Sequence, residues 1–160
     1  MRCVTLCALV TVSSCVKITN MYNPKKKAAE FTYKVYFSHT DAAGVVHHSN
    51  YINWLEAARI DFLDHIHYPY HTLQAEKKGF SPIHIDIHYD KALRFADTFS
   101  IRIHCDAITR ASVSFYSEFI CNNSVICRAT QKLASLDEQL WKVTKVPEGF
   151  LQQLEAFESS

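Results

Sequence analysis

Three glycines and four prolines are few for 160 residues, and they leave little room for long flexible linkers. No apolar run reaches the ~18–20 residues that a membrane-spanning helix needs. Neither sign of charge dominates, since 17 Lys and Arg face 16 Asp and Glu for a formal +1. That balance argues against non-specific nucleic-acid binding, which requires a concentrated basic surface. The pattern G-x-S-x-G is missing, which disfavours serine-hydrolase chemistry. So is any C-x-x-C pair: Cys105, Cys121 and Cys127 lie in strand-like runs, and Cys3, Cys7 and Cys15 fall in the first segment. Buried free thiols of a reducing compartment are the expectation, and with them a cytoplasmic protein. What is present is ordinary for a soluble chain, with 48% hydrophobic and 21% charged residues. The length suits a single core.

Residues 1–20 differ from the rest. Arg2 precedes an apolar run of about nine residues, close to the minimum of a signal-peptide core. Val12-Ser13-Ser14-Cys15 has the look of a lipoprotein processing site, but the positive region ahead of it is thin. We read residues 1–20 as an over-long or dispensable leader, with a lipoprotein signal as the alternative, and residues 21–160 as the domain.

From residue 31 the hydrophobic periods set the elements. Residues 31–37 alternate apolar and polar positions, as a half-buried strand does. Residues 50–67 change to a helical period, with Tyr51, Leu55, Ala58, Phe62 and Ile66 on one face and Trp54 and Ile60 widening it. Ser49 or Asn50 is the expected N-cap. Tyr68-Pro69 should end the helix, because a residue before proline avoids the helical region. A short second helix over 70–78 should close at Gly79. From Pro82, Ile83, Ile85, Ile87 and Tyr89 alternate with His84, Asp86, His88 and Asp90. Strand-like runs follow at 98–106, 111–121 and 124–135, with a last short one at 140–143 and a terminal helix at 147–157. One strand, one long helix and then successive strands predict an α+β fold. Its antiparallel sheet must bury one face, and the long helix is the one element able to cover it.

Between the first strand and that helix lies D-A-A-G-V-V-H-H-S-N-Y, residues 41–51. An acid, a glycine and paired histidines thus crowd a helix entrance, where backbone N–H groups are unpaired and the potential is positive. A carboxylate facing such donors can act on a carbonyl whose oxygen they hold. Asp41 before Ala-Ala-Gly also suits a plain turn. Gly44 fits a backbone conformation or a close approach closed to other residues. His39 and His47 read as exposed or capping histidines. Glu56 and Arg59, three apart, fit a helix-surface pair worth a few tenths of a kcal/mol.

Asp41, Gly44, Val45, Val46, Asn50 and Tyr51, followed by Glu56 and Arg59, resemble the D-x-x-G-[IV]-V-x-x-x-N-Y signature and E-x-A-R continuation of the 4-hydroxybenzoyl-CoA thioesterase-like branch of the hotdog-fold thioesterases. The resemblance spans residues 33–149. It implies a hotdog fold, an antiparallel sheet wrapped around one long helix, in homodimers or homotetramers whose sites form across subunits. It further implies an acyl-CoA thioesterase that needs no cofactor or metal. By the resemblance, Asp41 attacks the thioester carbonyl or activates water. The His48 backbone N–H polarises the thioester oxygen, and the His48 side chain orients water or substrate. Asn50, Tyr51, Glu56 and Arg59 are supporting residues. Lys91, Arg94 and Arg110 are the candidates for the CoA phosphates. Substrates would run from short aliphatic to hydroxybenzoyl- or dihydroxynaphthoyl-CoA, possibly with acyl carrier protein in place of CoA. The family often has proline where this chain has Ala92.

Two rivals remain. His84, Asp86 and His88 alternate on one strand face and offer metal ligands, although a polar outer sheet face explains them more simply. A hotdog module that binds acyl-CoA or acyl carrier protein without turnover is the alternative from another class. It would have no need of Asp41.

Overall fold

The computed structural model describes residue 23 and residues 25–160, so the leader at 1–20 lies outside the described residues. The order is β1 (Ala29–Lys34), α1 (His48–His65), α2 (Tyr70–Ala75), β2 (Lys78–Tyr89), β3 (Thr98–Ile108), β4 (Ser112–Cys121), β5 (Ser124–Asp137), β6 (Lys142–Val143) and α3 (Glu148–Ser159). The strands form one antiparallel sheet in the order β1-β3-β4-β5-β2, with β6 on the end of β5. This is the α+β hotdog arrangement, with α1 lying on one face of the sheet. No helix among the described residues is long and apolar enough to cross a membrane.

Side-chain alternation builds the core. Ile101, Ile103 and Cys105 of β3, Val113, Phe115 and Phe119 of β4, and Leu133 of β5 are all buried. Opposite them α1 presents Tyr51, Trp54, Leu55, Ala58, Phe62 and Leu63, also buried, while Ile60 is half-buried. Each large apolar side chain so buried contributes roughly 1.5–3 kcal/mol. The sheet has two ends. Near the start of α1, Trp54 packs on Phe99 at 4.7 Å and Tyr51 on Phe119 at 5.4 Å. Near its finish, Phe62 meets Phe115, and Phe150 of α3 packs between Tyr68 and Phe80.

Several expected boundaries move. β1 stops at Lys34, and Phe37 opens a 3-10 turn with its ring exposed. The N-cap of α1 is His47, whose Nδ1 accepts the Ser49 N–H, rather than Ser49 or Asn50. α1 finishes at His65, because His67 turns left-handed at φ 59° before Tyr68-Pro69 is reached. Gly79 does not close α2; Glu76 does, Lys77 takes the positive φ, and Gly79 belongs to β2. Ile83 leaves the core-facing row, because the β2–β5 register slips between Pro82 and His84 and puts it 59% exposed. Ile85 and Ile87 stay packed on the core. The β4–β5 hairpin turns on Asn122 and Asn123, both at positive φ, as a two-residue turn requires. Cys127 consequently lies opposite Phe119 and not Cys121, and Cys105, Cys121 and Cys127 are free thiols. Burial pushes the Cys105 and Cys127 thiols up to about 12.

Candidate active site

The signature loop is tied by its own backbone. A bridge between Thr40 and Val46 closes it, the Asp41 N–H donates to the Val45 carbonyl at 2.9 Å, and the His47 N–H donates to the His39 carbonyl at 2.9 Å. Within this ring Gly44 takes φ +72° and donates its N–H to the Asp41 carbonyl. A side chain there would meet nothing within 4 Å, so the glycine answers to conformation and not to crowding. Asp41 Oδ1 accepts the Ala43 N–H at 2.8 Å, and the residue is exposed. One carboxylate oxygen is therefore used by the turn, as the plain reading of Asp-Ala-Ala-Gly expects, and the acid still stands at the surface.

The ring is fastened to the protein at Leu93, in the segment between β2 and β3. Its carbonyl accepts the Val46 N–H at 2.9 Å, and its own N–H donates to the Tyr51 hydroxyl at 3.3 Å. Tyr51 is buried, its ring against Trp54, Tyr89 and Phe119, and that burial raises its pKa. Asn50 donates from Nδ2 to the His39 carbonyl at 2.8 Å, so the helix start grips the far side of the loop. The half-buried His39 ring meets Trp54 edge-on, and its Nδ1 accepts the Tyr36 N–H. The sequence marked Asn50 and Tyr51. Leu93 carried no signal, because it works through backbone atoms.

His48 is the first residue of α1, where a helical N–H has no partner within the helix. Its exposed ring lies 4.2 Å from that of His47. Val46, His48, Tyr51, Tyr89, Asp90, Lys91 and Ala92 line a cleft of about 270 Å³ beside it. Lys91 therefore joins His48, and Ala92 sits at the cleft wall where the family often has proline. Arg94 is exposed in the turn that follows, where its N–H donates to Asp97 Oδ2. Arg110 is elsewhere. It lies in the β3–β4 turn at the opposite end of the sheet, in a cleft of about 830 Å³ shared with Lys78, Lys145 and the first residues of α3.

The Glu56–Arg59 pair is not a surface pair. Arg59 is 3% exposed, its guanidinium stands 3.4 Å from an exposed Glu56, and its Nε has no hydrogen-bond partner among the described residues. Burial lowers its pKa. A bond from the Tyr33 hydroxyl to Asp61, which sequence reasoning missed, locks β1 to α1 nearby. His84, Asp86 and His88 are exposed along β2, and His88 pairs with Asp90. Among the described residues no group of three or more such side chains is placed to hold a metal.

Comparison with known proteins gives this geometry a setting. Residues 35–154 match the model of the Thioesterase-like superfamily. The acyl-CoA thioesterase YbgC of Haemophilus influenzae is 29% identical over 108 residues, covering 67% of this chain and 79% of the relative. The solved structure of a gentisyl-coenzyme A thioesterase superposes with a TM-score of 0.73 at 26% identity, over 79% of this chain and 99% of the other. The DHNA-CoA thioesterase of Staphylococcus aureus shares the fold, at TM-score 0.76 and 17% identity over 82% and 89% of the two chains.

Proposed function

The chain belongs to the Thioesterase-like superfamily, and on that premise we propose that it hydrolyses an acyl- or aryl-CoA thioester to the free acid and CoA. The observation that carries this reading is the exposed Asp41 carboxylate in a closed loop whose last bond leads directly into the first turn of α1. The thioester oxygen would sit against the His48 N–H, where the positive end of the helix favours growing negative charge. Asp41 would either add to the carbonyl carbon and expel the CoA thiolate, or take a proton from the water that adds. Both routes consume one water and yield one acid and one thiol. A single oxyanion donor of this kind is worth a factor of ~10²–10³ in turnover.

The surrounding bonds serve that geometry. Leu93, Tyr51 and Asn50 fix the loop against the helix, and Lys91 offers a cation at the cleft for a CoA phosphate. Acyl carrier protein would present the same thioester. The module reading has one observation behind it, the Asp41–Ala43 bond, which would exist in a binder too. Thiol release from a panel of aliphatic and aromatic acyl-CoAs, by the full chain and its Asp41→Asn variant, separates the two. Fast release lost in the variant supports the hydrolase. Saturable binding of intact thioester by both proteins would establish the module.

A further inference from the structure

This inference rests on the thioesterase reading. The cleft beside His48 holds about 270 Å³, while pockets that hold drug-sized ligands span ~300–1,000 Å³, and a CoA ester is larger still. A wall is missing. β2 indicates where it comes from. This twelve-residue strand ends the sheet, and no strand among the described residues pairs with its outer side. It carries Pro82, which suits an edge strand, and the exposed Ile83 at its bulge. A long apolar edge is a template for another strand, and an antiparallel edge can accept its own copy about a two-fold axis.

Strand direction then decides what meets what. β2 starts at Lys78, opposite Asp137 and beside the β5–β6 turn, and finishes at Tyr89, against Tyr51 at the helix start. Antiparallel self-pairing sets the Lys78 end of one copy level with the Tyr89 end of the other. Beside Lys78, Trp141 is 79% exposed and borders a hollow formed with Gly79–Pro82, and Leu140 is exposed next to it. At the other end Ile52 and Tyr89 are exposed. Each apolar patch thus lacks cover in its own chain and finds it in the other.

We propose that two copies join edge to edge along β2, and that Trp141 of each closes the helix-start cleft of the other as the wall against which the acyl group lies. The same pairing carries Lys78, Arg110 and Lys145 towards that cleft, so cations remote from His48 in their own chain come within range of a CoA phosphate.

Light scattering of the full chain should give twice 18.4 kDa. Trp141→Asn, chosen because asparagine tolerates the backbone φ of 49° there, should weaken binding of a non-hydrolysable acyl-CoA thioether by about five- to tenfold. Refolding an equal mixture of Asp41→Asn and Trp141→Asn chains should restore about a quarter of the wild-type rate, because half the dimers then hold one intact site. A monomeric mass, unchanged thioether binding in Trp141→Asn, or a mixture no faster than the mean of its parents would overturn the proposal. Full activity in Asp41→Asn alone would instead sink the catalytic reading, and mass and thioether binding would still judge this one.

Discussion

The two ends of the sheet are held together in different ways. At the end of α1, Phe62, Phe115, Tyr68, Phe80 and Phe150 interlock, and the contacts are between buried rings. At the start of α1, the loop is held by main-chain bonds: Val46 to Leu93, His47 to His39 and Asp41 to Val45. Backbone bonds leave side chains free. Asp41, His47 and His48 can therefore stand exposed without loosening the segment that carries them. One end uses its side chains for stability, and the other keeps them for chemistry.

The sharpest way to break this contrast is to change one side chain at each end. Asp41→Asn should lower turnover about a thousandfold or more, as loss of a catalytic acid–base or nucleophilic group does, with a melting temperature like that of the parent. Phe150→Ala should do the reverse. It removes a fully buried ring and should cost about 3 kcal/mol in a denaturant titration, with little change in KM for whatever fraction stays folded. If Asp41→Asn unfolded the protein, the division between the ends would fail.

Finer substitutions probe the main-chain anchoring itself. Tyr51→Phe strands the Leu93 N–H in a buried place and should cost about 1–2 kcal/mol, with a fall in kcat/KM as the loop loosens. Gly44→Ala meets no neighbour but must hold φ +72°, so about 1 kcal/mol is expected, and Gly44→Asn should recover part of it. The smallest effect is in pH. Burial raises the Cys105 and Cys127 thiols from 9 to about 12, so the folded state holds protons that the unfolded chain releases. Their contribution is complete below about pH 9 and should fade as pH climbs from 9 towards 12, visible as a falling melting temperature that Cys105→Ala moderates.

The elements could be read from the sequence because a period of two or of 3.6 is written in side-chain polarity. The misreadings occur where something else decides. His47 caps α1 with an imidazole nitrogen, a role that the search for Ser, Thr, Asp or Asn overlooks. Ile83 fits the alternating pattern but sits at a register slip, which depends on β5 as much as on β2. Arg59 looked like surface because charge suggests water, yet its side chain is covered. In the site, Asp41, Gly44, Asn50 and Tyr51 were legible as a motif. Leu93 was not, since its contribution is a peptide group that any residue supplies. The distance of Arg110 from His48 was also hidden, because it follows from strand direction.

Strand order bears on how the protein comes into being. β3, β4 and β5 are consecutive and joined by short turns, so they can pair early with little loss of chain freedom. β1 must find β3 across both helices and β2, and β2 must find β5 across two intervening strands. Leu93, the loop's fastening point, lies between β2 and β3, while the loop itself follows β1. The catalytic ring can lock only after both outer strands have docked. In a refolding experiment, secondary structure should return first and turnover last.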